Sequence, residues 1–90
     1  MMNRHWPREI AVTRFYFDVH DGTDLVRDAE GSEFASLNAA IQGAITSAGE
    51  VGRNLLAKGR TSDVVFTVRD EHNQRVGTVT ASMKVERHTA

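Results

Sequence analysis

With 90 residues, no cysteine, 26% charged and 40% apolar residues and a formal charge of −1, the chain makes one domain and cannot be stapled by disulfides or thiolate metal sites. A domain this small buries only about 60–65% of the surface that its unfolded chain exposes, and its near-neutral charge gives no field that draws the whole molecule to nucleic acid or anionic lipid. No apolar run approaches the roughly 18–20 residues of a membrane span, and Met1-Met2-Asn3-Arg4-His5-Trp6-Pro7 lacks the apolar stretch of a secretion signal, so a cytoplasmic protein without a membrane partner is expected.

Residues 1–12 show no period and hold the only proline. They read as a flexible arm or as residues upstream of the true start, ahead of a single α+β domain over 13–87 and a frayed end at 88–90. From Arg14 the alternation is clean: Phe15, Phe17 and Val19 point one way, and Arg14, Tyr16, Asp18 and His20 the other. Asp21-Gly22 supplies the turn of a tight hairpin. The return strand has two registers open to it: a loop of two or four residues puts Val26 with the phenylalanines, a loop of three puts Leu25 there. Ala29-Glu30-Gly31-Ser32-Glu33 then reads as a turn.

Ser36 is the expected N-cap of a helix running to Lys58, with Gly59 as its C′ stop. Leu37, Ile41, Ala44, Ile45, Ala48, Val51, Gly52, Leu55 and Leu56 recur at three- and four-residue spacing and form one apolar stripe. The small residues Ala40, Ala44, Ala48 and Gly52 fit close packing on a sheet; a helix–helix dimer contact is the other use they could have. A second hairpin centred between Asn73 and Gln74 would pair Val68 with Val79, Phe66 with Ala81, Val64 with Met83 and Asp63 with Lys84. Its other face would pair Arg69 with Thr78, Thr67 with Thr80 and Val65 with Ser82.

The order is β-β-α-β-β, and the expected fold is a four-stranded antiparallel sheet of order 2-1-3-4 with one amphipathic helix on one face. Four strands span about 14–19 Å and a helix is about 10–12 Å across, so the opposite face stays open. The residues expected on this surface and its acidic turn are Tyr16, Asp18, His20, Asp21, Asp24, Val65, Thr67, Arg69, Thr78 and Thr80. By count, residues 18–33 carry six carboxylates against Arg27, which makes the first hairpin an acidic end. Solvated turn carboxylates explain this, and a docking patch for a basic partner is the functional reading.

The run Phe15-Tyr16-Phe17-Asp18-Val19-His20-Asp21-Gly22, with Asp28-x-x-Gly31 and the helix start at Leu37 to Ala40, resembles an uncharacterised family of small bacterial proteins known only as a domain of unknown function. Phe66-Thr67-Val68-Arg69-Asp70-Glu71 and Met83-Lys84-Val85-Glu86-Arg87 look like its second hairpin, so the resemblance covers roughly residues 14–87. It implies a hairpin–helix–hairpin fold and no assigned activity. In that family the first strand comes almost at the N-terminus, which supports reading residues 1–12 as upstream of the domain. A looser similarity, carried by Glu30-Gly31-Ser32-Glu33-Phe34 to Ala40, is to HicB-type antitoxins.

Asp18 and His20 share a strand face, with Asp21 and Asp24 nearby, and are the only local constellation for acid–base work or metal binding. His72, the other internal histidine, sits on the other hairpin, so no ligand set closes. No Gly-x-Ser-x-Gly elbow or phosphate loop is present, and a pocket of about 300 Å³ or more would empty a core this small. No catalytic residue, cofactor or metal is therefore assigned, and the chain is not expected to be an enzyme. A single-stranded nucleic acid platform would need more aromatics than Tyr16. The reading is an interaction or accessory domain, a homodimer or the partner of another protein; an antitoxin-like or nucleic-acid-binding regulator is the alternative.

Overall fold

The computed structural model describes residues 11–89, so all but the last two residues of the expected N-terminal arm lie outside the described residues. Strand β1, Thr13–His20, forms where the alternation is cleanest. It turns through the four-residue loop Asp21–Asp24 into β2, Leu25–Val26, pairing Val19 with Val26 and His20 with Leu25. The longer loop thus sets the register, and Val26 shares the face of the phenylalanines. Both β2 side chains are exposed, Val26 on the helix side of the sheet and Leu25 on the other.

The expected turn at residues 29–33 is where the structure departs from the sequence reading. Ser32–Phe34 is a short strand, β3, that pairs Thr13 with Phe34 and Phe15 with Ser32 on β1. Between the two pairings, the five residues Arg27–Gly31 stand opposite only three of β1, residues 16–18. So β2 and β3 are two halves of one return path broken by a wide bulge. Three residues were too few to show a period, and glycine and polar neighbours masked them. Phe34 is the gain: its ring stacks on Phe17 at 5.6 Å and meets Phe15 at 6.2 Å.

Helix α1, Leu37–Ala57, begins where Ser36 Oγ accepts from the Ala39 amide at 3.0 Å. It ends in a two-bond C-terminal motif: the Arg60 amide donates to the Leu55 carbonyl and the Gly59 amide to the Leu56 carbonyl, both at 2.9 Å. Only part of the expected apolar stripe is covered. Ala40, Ala44, Ala48, Gly52 and Leu55 are buried, whereas Leu37, Ile45 and Leu56 are exposed. The buried line is the small-residue line, which resolves the two uses open to it in favour of close packing on the sheet. A methyl group on Gly52 would meet the Ala81 Cβ at 3.2 Å and the Met83 Sδ at 3.1 Å.

Strands β4, Val64–Arg69, and β5, Arg75–Ala81, form the second hairpin, in a different register from the one expected. Val64 pairs with Ala81, Phe66 with Val79, Thr67 with Thr78 and Val68 with Gly77. The turn lies nearer β4: the Asn73 amide donates to the Asp70 carbonyl at 3.1 Å and the Asp70 amide to the Gln74 carbonyl at 2.9 Å. Asn73 takes φ +63°, and a bulge follows between Val68 and Arg69. This is the three-residue turn-plus-bulge hairpin, in which asparagine tolerates the left-handed position. The shift by two keeps each side chain on its expected face but ends β5 at Ala81, leaving Met83 and Lys84 outside the sheet.

The fold is α+β, a five-stranded antiparallel sheet in the order β2-β1-β4-β5 with β3 also on β1, and the helix on one face. The core is Phe15, Phe66, Val64 and Val68 from the sheet beneath the helix alanines and Leu55. No helix of the described residues is long and apolar enough to cross a membrane. On its outer side β5 has no strand neighbour among the described residues.

Candidate functional site

The face of the sheet away from the helix is a grid set by strand register. Tyr16 stands opposite Arg69, Asp18 opposite Thr67 and His20 opposite Val65, with Thr78 and Thr80 continuing the rows on β5. Asp18 and Arg69 are therefore diagonal neighbours, within reach of long side chains. They form a two-bond ion pair, Arg69 Nε donating to Asp18 Oδ2 at 2.7 Å and Nη2 to Oδ1 at 3.1 Å. Both residues are buried, at 9% and 8% exposure, the only buried polar residues of the described chain.

The pair is held on every side. Arg69 Nη2 also donates to the Asp28 carbonyl at 3.0 Å, Nη1 donates to Asn73 Oδ1 at 2.9 Å, and the guanidinium lies 4.9 Å over the Tyr16 ring. The Asp28 amide donates to Asp18 Oδ1 at 3.0 Å. Asp28 itself closes the gap between β2 and β3. Its Oδ2 accepts from the Phe17 amide at 3.0 Å, where a ladder bond would otherwise run, and its Oδ1 accepts from the Glu30 and Gly31 amides at 3.1 and 2.9 Å. A side chain does here what a neighbouring strand does elsewhere.

These contacts set the titration. The Arg69 guanidinium holds the Asp18 carboxyl below its ordinary range and is itself raised. Burial alone would raise Asp28, but the amides of Phe17, Gly31 and Glu30 outweigh it and the net shift is downward. Both carboxylates thus have folded-state values below the unfolded ones. Their contribution to stability is complete above about pH 4 and is lost as the pH falls through the lowered values. Urea denaturation between pH 7 and 2 should therefore show a steep loss of stability below about pH 4, and Asp28→Asn should flatten it. A variant as steep as the parent would count against this role.

The other residues expected at the surface divide. Asp21 Oδ1 accepts from the Thr23 and Asp24 amides at 3.1 and 3.0 Å, and these bonds, Asp24's foremost, lower its carboxyl. It stabilises its own turn, while Asp24 is exposed. His20, exposed at the end of β1, makes no hydrogen bond with Asp18. Thr67 and Val65 are half-buried, and Thr78 and Thr80 are exposed near the free edge. Tyr16, expected on the open face together with Arg69, has its ring under that guanidinium. No group of three histidines, aspartates or glutamates placed to hold a metal occurs among the described residues.

Next to the ion pair lies a half-open recess of about 260 Å³. Leu25 and Arg27 line it from the first hairpin, and Thr67, Arg69, Asn73 and Arg75 from the second, with Asp18 below. It lies on the sheet surface, so it does not empty the core. Asn73 Oδ1 accepts from both Arg69 and Arg27, at 2.9 and 3.1 Å. Sequence reasoning missed Arg27, Asn73 and Arg75, because their approach depends on the bulge and on the corrected register.

Compared with known proteins, residues 14–82 match the model of DUF6894, a domain of unknown function. The chain belongs to this family. No curated protein and no solved structure matches it, so the looser resemblance to HicB-type antitoxins gains no support from either. Within this DUF6894 chain, the Asp28-x-x-Gly31 segment that carried the family resemblance has a structural explanation: it seals the edge of β1 and orients Arg69.

Proposed function

We propose that this DUF6894 domain is a non-enzymatic interaction module that works by strand addition at β5, with a second copy of the chain as its partner in a symmetric dimer. The observation that carries this reading is the edge itself. Past the bulge at Val76, β5 runs through residues 77–81 without proline or charge, and it has no strand neighbour on its outer side among the described residues. Edges that stay unpaired are ordinarily kept short, charged or broken. Two antiparallel copies of β5 would join their sheets through a self-complementary, two-fold contact.

A non-enzymatic role is supported by where the ionisable groups are used. Asp18, Asp28 and Arg69 are bound into one another and into backbone amides and carbonyls, and the exposed His20 neither bonds to Asp18 nor lines the recess. A cytoplasmic setting belongs to the same reading, since a chain without cysteine gains nothing from an oxidising compartment. Light scattering at micromolar concentration should return the mass of a dimer. Thr78→Lys with Thr80→Lys, which sets like charges along the seam, should return a monomer with an unchanged circular dichroism spectrum. A monomeric parent, or a doubly substituted chain that remains dimeric, overturns the proposal.

A further inference from the structure

We infer that the recess between the two hairpins is a binding site for a small phosphate monoester. Three arginines line it, Arg27, Arg69 and Arg75, and the only acidic residue lining it is Asp18. Asp18 is already engaged with Arg69 through both oxygens. The lining therefore carries two positive charges in excess, and they are forced together rather than spread. Asn73 draws Arg27 and Arg69 onto one amide oxygen, at 3.1 and 2.9 Å. Strand register sets Arg75 directly opposite Arg69, a placement that costs stability when the charges are alike. Among the described residues neither Arg27 nor Arg75 has a carboxylate within ion-pair distance.

A doubly charged oxyanion relieves this arrangement, and guanidinium donors match the phosphate group in geometry as well as in charge. Arg69 is the fixed member, held by Asp18, the Asp28 carbonyl and Asn73, while Arg27 and Arg75 close from the two sides. Thr67 adds a hydroxyl, and Leu25, 67% exposed on the rim, gives an apolar flank for the organic part of an ester. The volume, about 260 Å³, falls below the roughly 300–1,000 Å³ of sites for larger ligands and suits a phosphate group with a small substituent.

The test is an NMR titration of the full chain with inorganic phosphate and with phenyl phosphate, against sodium chloride at matched ionic strength. Saturable shifts are expected in the arginine Nε–H signals and in the amides of residues 67–75, with phenyl phosphate binding more tightly than phosphate. Arg27→Gln and Arg75→Gln should each weaken binding by about tenfold or more while leaving the rest of the spectrum in place. The site is overturned if neither probe saturates by about 20 mM, if chloride gives the same shifts, or if both variants bind as the parent does. A single-stranded oligonucleotide that binds through Arg27 and Arg75 where both small phosphates fail overturns the small-ester reading in favour of nucleic acid. The readout does not depend on whether the chain is one copy or two, so its failure and that of the β5 dimer are separable.

Discussion

Replacing Arg69 by methionine should lower the stability of the domain by about 3–5 kcal/mol, because it leaves the Asp18 carboxylate buried with no counter-charge. The same change strips a donor from the Asp28 carbonyl and from Asn73 and uncovers the Tyr16 ring. Domains are stable by only about 0.05–0.15 kcal/mol per residue, so a loss of this size removes much of the margin of a small one. A second substitution identifies the cause. Asp18→Asn keeps an acceptor for the Asp28 amide but removes the charge, and in the Arg69→Met background it should restore part of the stability instead of adding to the loss. Urea denaturation followed by far-ultraviolet circular dichroism gives all four corners of the cycle. A loss below about 1 kcal/mol for Arg69→Met would show that water reaches the pair and that it is worth no more than a surface bridge.

The other large effect is expected at Gly31. It takes φ +72°, and a methyl group there would stand 2.8 Å from the Phe15 carbonyl oxygen and 2.8 Å from the Tyr16 ring. The first of these is backbone within a paired strand and cannot turn aside. Gly31→Ala should therefore cost about 2–4 kcal/mol, part from the left-handed conformation and part from displacing β3 and the Asp28 bonds. Gly49 is the control, a helical glycine whose methyl would meet nothing within 4 Å. Gly49→Ala should stabilise the domain by about 0.5–1 kcal/mol, since only the flexibility of the unfolded chain and the helix propensity change. Equal effects at the two positions would mean that the close approach at Gly31 is not what requires glycine.

What could be read in the sequence was what depends on local period and local signals. Phe15, Phe17 and Val19 alternate over a full strand, and Ser36 and Gly59 bracket a long periodic segment, so β1 and α1 were legible with their ends. The small-residue line of the helix pointed to its packing partner for the same reason. Register in the second hairpin was not legible, because pairing Val68 with Val79 and pairing it with Gly77 both keep apolar residues on one face. The choice rests on the left-handed turn at Asn73. Nor was β3, whose three residues gain their identity from β1 and from Asp28 rather than from their own pattern. The recess depends on both, which is why Arg27 and Arg75 did not stand out beside Asp18 and His20 in a linear reading.

Each hairpin joins neighbours in the chain, but the central seam between β1 and β4 joins Tyr16 to Arg69 and His20 to Val65 across the whole helix. Short loops close within microseconds, whereas strands this far apart in sequence carry a larger closure cost, so the seam is the contact of the sheet that costs most entropy to close. The Asp18–Arg69 pair spans this seam. Its bonds tie together residues 51 positions apart, across the one contact of the sheet that no local turn brings about.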